Sequence, residues 1–96
     1  MNKEIIIAQL KRLKPMLSEK YSVKDIALFG SYSRNEATTQ SDIDILIHFE
    51  TPTYNSLCKS FDILQEAFGD KVVQLVSRGG IKPQYFEAIK QDLLYA

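Results

Sequence analysis

The stretch FGSYSRNEATTQSDIDILIHF, Phe29 to Phe49, sets two aspartates, Asp42 and Asp44, among isoleucines. Side chains alternate across a β-strand. A strand over DIDILIHF therefore points Ile43, Ile45, Ile47 and Phe49 to one face, and Asp42, Asp44, Leu46 and His48 to the other. The first set makes a core face. The second places two carboxylates on one side, with Cα atoms roughly 6.5–7 Å apart. Like charges at that separation repel, and partial burial adds a desolvation cost. A hard divalent cation offsets both, since magnesium takes oxygen ligands and is commonly held by one or two carboxylates plus substrate phosphates. The spacing alone fits either such a site or a solvated strand start.

The upstream half of the stretch narrows the choice. VKDIALFG reads as a short buried strand ending at Gly30, and Ser31 to Arg34 then turn into a helical segment. A helix start offers free backbone N–H groups to a phosphate, and a glycine lets the ligand come close to the backbone. Ser31 adds a hydroxyl, and Arg34 stands one turn later, where a guanidinium can pair with a phosphate oxygen.

Further out, Ile6, Leu10, Leu13 and Leu17 follow 4-3-4 spacing and predict an amphipathic helix that Pro15 kinks or ends early. Leu57, Phe61, Leu64 and Phe68 repeat the spacing and predict a second helix, closed at Gly69 by a left-handed residue. KVVQLV reads as a third strand and SRGGIKP as a loop. Pro83 suits a first helical turn, and Phe86, Ile89 and Leu93 give that last helix an apolar face. Helices alternating with strands predict an α/β layer in one domain, residues 1–96. With so few strands, a helix or a partner is expected over the sheet edge.

The bulk numbers exclude some functions. Lys+Arg and Asp+Glu are both 12, so the net charge is zero and a general nucleic-acid binder relying on a positive field is not expected. Near-zero charge also leaves little repulsion against self-association. The single cysteine, Cys58, permits no internal disulfide and no cysteine zinc cluster. No apolar run reaches the ~20 residues of a membrane span. Residues 1–13 alternate charges with aliphatics rather than forming a signal peptide, so a soluble, cytoplasmic protein is expected. His48 reads as a strand-end histidine, Tyr32 as loop packing or a base contact, and Lys71, Arg78 and Lys82 as a solvated basic rim. Phe61, Phe68 and Phe86 fit helical core faces.

GSYSRNEATTQSDIDILI resembles the G-S-x-x-R-G-x-A-x-x-x-S-D-I-D-L-x-V signature of the minimal nucleotidyltransferase family, part of the DNA polymerase β-like superfamily. The likeness extends over nearly the whole chain. It implies an α/β (α+β) nucleotidyltransferase fold, a small mixed sheet of three to four strands flanked by helices. It also implies that Gly30 and Ser31 bind the triphosphate of ATP and that Asp42 and Asp44 hold two Mg²⁺ ions. Arg34 would support the loop or a phosphate. Such proteins are commonly paired with a HEPN-domain toxin, an RNase; they act as its antitoxin, and some transfer AMP from ATP to a tyrosine of the toxin.

Two positions depart from the pattern. Asn35 replaces the usual glycine, and asparagine tolerates the left-handed region better than most residues. Gln74 stands where the family places a third carboxylate. An amide can offer a carbonyl oxygen to a cation, but it is no general base at ordinary pH. Asp70, Glu66 and Glu50 offer no convincing substitute. Two functions follow: a magnesium-dependent enzyme with weakened AMP transfer, or a non-catalytic nucleotide-binding module that neutralises a HEPN-type partner by docking.

Overall fold

Asn2 starts the first helix by accepting the Ile5 N–H on its side-chain oxygen at 2.9 Å, and α1 then spans Lys3–Tyr21 in the computed structural model, which describes all residues from Met1 to Ala96. Pro15 lies inside α1 and does not end it. Pro15 and Lys11, whose carbonyl loses its helical partner, both face solvent, where water satisfies that oxygen. Ser22, at φ 58°, closes the helix in the left-handed region.

The chain continues into β1 (Val23–Phe29), β2 (Ile43–Phe49), α2 (Tyr54–Phe68), β3 (Val73–Ser77), α3 (Pro83–Ile89) and β4 (Leu94–Tyr95). The sheet is mixed, in the order β3-β2-β1-β4: β1 pairs antiparallel with both β2 and β4, and β2 runs parallel to β3. This is the expected α/β class. The fourth strand comes from the C-terminal segment, where Leu93 was expected to extend the last helix. Instead α3 stops at Ile89, a short 3₁₀ turn spans Lys90–Asp92, and Leu94 pairs with Leu28. The β1 edge is thus partly covered by the chain's own fourth strand, where a helix or a partner was expected.

Ile6, Leu10 and Leu17 of α1 pack with Ile26, Leu28, Ile43, Ile45, Ile47, Leu64 and Phe68 in a core of 14 buried residues. The period-two reading of β2 holds, with Ile43, Ile45 and Ile47 fully buried. Leu46, on the aspartate face, is also buried, as are its β1 partner Ala27 and nearby Phe29. Phe61 departs from expectation and stays 37% exposed. The buried stripe of α2 is Ser60, Leu64 and Phe68, and Phe61 lies at its margin, roughly 60° of helical rotation from its centre. Gly69 ends α2 with φ 60°.

Candidate active site

Strand register brings the aspartates together with the other marked residues. Phe29 lies opposite Asp44 across β1 and β2, and Asp44 lies beside Gln74 across β2 and β3. Asp42 immediately precedes β2, on the same side as Asp44. The Gln74 amide Nε2 donates to Asp42 Oδ2 at 2.8 Å. Gln74 therefore stands beside both aspartates, and its amide N–H partly relieves the repulsion between Asp42 and Asp44.

Gly30 sits directly behind Asp44. Its φ is +79°, and a Cβ there would overlap the Asp44 carboxylate, coming within 3.0 Å of Cγ. Only glycine satisfies both conditions. Asp44 is half-buried, and its pKa is raised, first by desolvation and then by the Asp42 charge, with Arg34 opposing. Its carboxylate is thus poised to gain from a nearby cation.

Ser31–Asn35 form a turn rather than the expected helical segment. Arg34 N–H donates to the Gly30 carbonyl and Glu36 N–H to that of Ser31. Asn35, at φ 59°, then takes the chain out of the helical direction, in the left-handed conformation expected of it. Even so, the amides of Ser31, Tyr32 and Ser33 donate to nothing in the chain, and the Ser31 hydroxyl makes no hydrogen bond. The turn keeps the unpaired donors of a helix start, and it follows directly on Gly30, which abuts the Asp44 carboxylate.

Arg34 is committed to the protein. Its Nε donates to Glu36 Oε1 at 3.0 Å and its Nη1 to Asp92 Oδ2 at 2.8 Å, which leaves Nη2 without a partner. Asp92 lies 58 residues from Arg34, and no local pattern marks it. Tyr32, 5% exposed, packs in the core. Lys71 donates to the Thr39 carbonyl and pins the loop leading to Asp42, while Arg78 stacks on Phe86 at 4.2 Å; neither is a merely solvated rim residue. His48 lies toward the far end of β2, 3.5 Å from Asp25.

A cavity of about 420 Å³ lies behind the same turn, lined by Asn2, Lys3, Tyr32, Asn35, Thr38 and Lys71 among others. It contains neither aspartate. The convergence of carboxylates, amide and unpaired N–H groups marks the site, and cavity size does not.

Residues 10–93 match the family model described as a nucleotidyltransferase domain. The chain is 50% identical over 88 residues to MJ0128 of Methanocaldococcus jannaschii, a candidate protein adenylyltransferase; the match covers 90% of this chain and 89% of that one. It is 32% identical over 83 residues to the protein adenylyltransferase MntA of Thermococcus cleftensis, covering 85% and 83%. The solved structure of a candidate minimal nucleotidyltransferase superposes with a TM-score of 0.81 at 25% identity, covering 98% of this chain and 95% of that chain. The fold also matches a chain in the complex of tri-AMPylated Shewanella oneidensis HEPN toxin with MNT antitoxin. There the TM-score is 0.63 at 23% identity, covering 91% and 66%.

Proposed function

The chain belongs to the nucleotidyltransferase domain family, and from that premise we propose that residues 1–96 form one magnesium-dependent domain that moves AMP from ATP to a hydroxyl of a HEPN-domain partner, as an antitoxin. The observation that carries this reading is the meeting of Asp42 and Asp44 with the unpaired amides of Ser31, Tyr32 and Ser33 across Gly30. Carboxylates and free N–H donors are what a metal-bound polyphosphate needs at one place. The names of MJ0128 and MntA support protein as the acceptor, and the solved HEPN complex supports the kind of partner.

The donor set fits magnesium: two hard carboxylates, with the Gln74 carbonyl oxygen available if its amide turns over. When bound, Mg²⁺ would neutralise phosphate charge and stabilise the departing pyrophosphate. The chain's own work is positioning. Gly30 and Ser31 would hold the triphosphate, with Nη2 of Arg34 reaching a phosphate oxygen. An acceptor hydroxyl would attack the α-phosphorus, the bond to the bridging oxygen would break, and pyrophosphate would leave. Gln74 cannot take the hydroxyl proton, which would pass to water instead, so transfer is expected to be slow.

The second reading, a docking module without transfer, is favoured by one observation: Gln74 donates to Asp42 where the family carries a carboxylate. Calorimetry with a nonhydrolysable ATP analogue tests the metal and nucleotide assignment. Binding should require Mg²⁺ and be lost in Asp44→Asn. Binding that ignores both would overturn it.

A further inference from the structure

Asp92 holds two successive residues of the turn beside Asp44. Its backbone carbonyl accepts from the Ser33 hydroxyl, and its carboxylate accepts from Arg34 Nη1 at 2.8 Å. The fold puts it there. β4 pairs with β1 in the register Leu28↔Leu94 and Ala27↔Tyr95. Extending that antiparallel register by two residues sets Asp92 opposite Gly30.

We propose that Asp92 is a positioning residue, which orders the Ser31–Ser33 amides and aims Arg34 for a nucleotide triphosphate. The inference rests on the nucleotide reading above and adds the residue that shapes that site. The turn has only three backbone hydrogen bonds of its own, Arg34 to Gly30, Asn35 to Tyr32 and Glu36 to Ser31, before Asn35 ends it at φ 59°. Side-chain anchors from elsewhere in the chain add to them. Tyr32 is fixed by the core, and Ser33 and Arg34 are fixed by Asp92. Amides that are to bind one anion together must keep fixed directions, because misdirected donors lose affinity sharply. The Asp92 side chain is only 17% exposed, which shields the ion pair from solvent more than an ordinary surface pair.

The substitutions separate the two anchors. Asp92→Asn keeps the carbonyl that receives Ser33 and removes the charge facing Arg34. Ser33→Ala does the reverse, and Asp92→Glu restores the charge on a longer arm. Each full chain is assayed for melting temperature, for amide exchange by mass spectrometry and for affinity toward Mg²⁺ with a nonhydrolysable ATP analogue. Asp92→Asn should weaken nucleotide affinity by about fivefold or more. Exchange should rise at residues 31–36 and stay unchanged in α1, and Asp92→Glu should recover part of the affinity. Unchanged affinity in Asp92→Asn and Ser33→Ala, with tight binding by the parent, would overturn the positioning role while leaving the nucleotide reading intact. Equal loss of exchange protection across the whole chain would reduce Asp92 to a stability residue. Absence of binding by the parent itself would remove the nucleotide reading and this inference with it.

Discussion

At the scale of single residues, the site trades stability for binding capacity. Asp44 has a raised pKa, caused first by its burial and then by Asp42, against a smaller opposing effect of Arg34. A carboxyl held above its unfolded value favours the protonated form in the folded chain, so stability falls as pH rises through that raised value. Asp44→Asn should therefore melt higher than the parent at pH 7 without metal, with the gap closing as pH falls toward the ordinary aspartate range; a lower melting temperature at pH 7 would contradict this. Gln74→Asp should act in the opposite sense. It replaces a donor to Asp42 by a third negative charge and should cost about 1 kcal/mol in chelator, recovered when Mg²⁺ is added. Gly30→Ala must strain a backbone at φ +79° and displace the Asp44 carboxylate. A loss of about 2 kcal/mol or more is expected by denaturant titration. The two aspartates, the glycine and the glutamine were all legible in the sequence, because strand period and the Gly-Ser motif are local signals. Asp92 was not, because its place depends on a strand pairing formed by residues far along the chain.

Elements show the same division. The α1, β1, β2 and β3 segments could be read from periodicity, since each carries enough apolar positions to mark its face. Pro15 misled because it and Lys11 both face solvent, where water replaces the lost hydrogen bond, and the helix continues past it. The end of α3 misled because Leu93 fits a helical stripe by spacing, yet pairing of Leu94 and Tyr95 with β1 takes the chain away. In α2, Phe61 and Leu64 were equally plausible core positions, and the helix's rotation on the sheet decided between them. That rotation buries Ser60 fully, with its hydroxyl unpartnered. Ser60→Ala removes that unsatisfied oxygen and improves helix propensity, so it should stabilise the chain by about 1 kcal/mol in urea titration. Gln65 has the opposite role. It accepts from Val73 N–H and donates to the Lys71 carbonyl, closing the start of β3 beside Gln74.

Across the whole molecule, the sheet is the device that turns distant sequence into one site. The β1 end supplies the turn, the β2 start supplies two carboxylates, the β3 start supplies Gln74, and the segment before β4 supplies Asp92. No helix of the chain is long and apolar enough to cross a membrane. Helices α1 and α2 pack on one face of the sheet with Ile43, Ile45 and Ile47; the other face buries Ala27, Phe29 and Leu46 and carries the aspartates at its end. On the proposed reading, this arrangement would transfer AMP to a partner protein, and slowly, because Gln74 cannot take a proton. The most direct test is to mix the chain with a candidate HEPN-domain protein, Mg²⁺ and ATP labelled at the α-phosphate, and follow label on that protein over time. The parent should label slowly, Asp44→Asn not at all, and Gln74→Asp faster. A tight complex that stays unlabelled, with the parent and with Gln74→Asp alike, would contradict that reading.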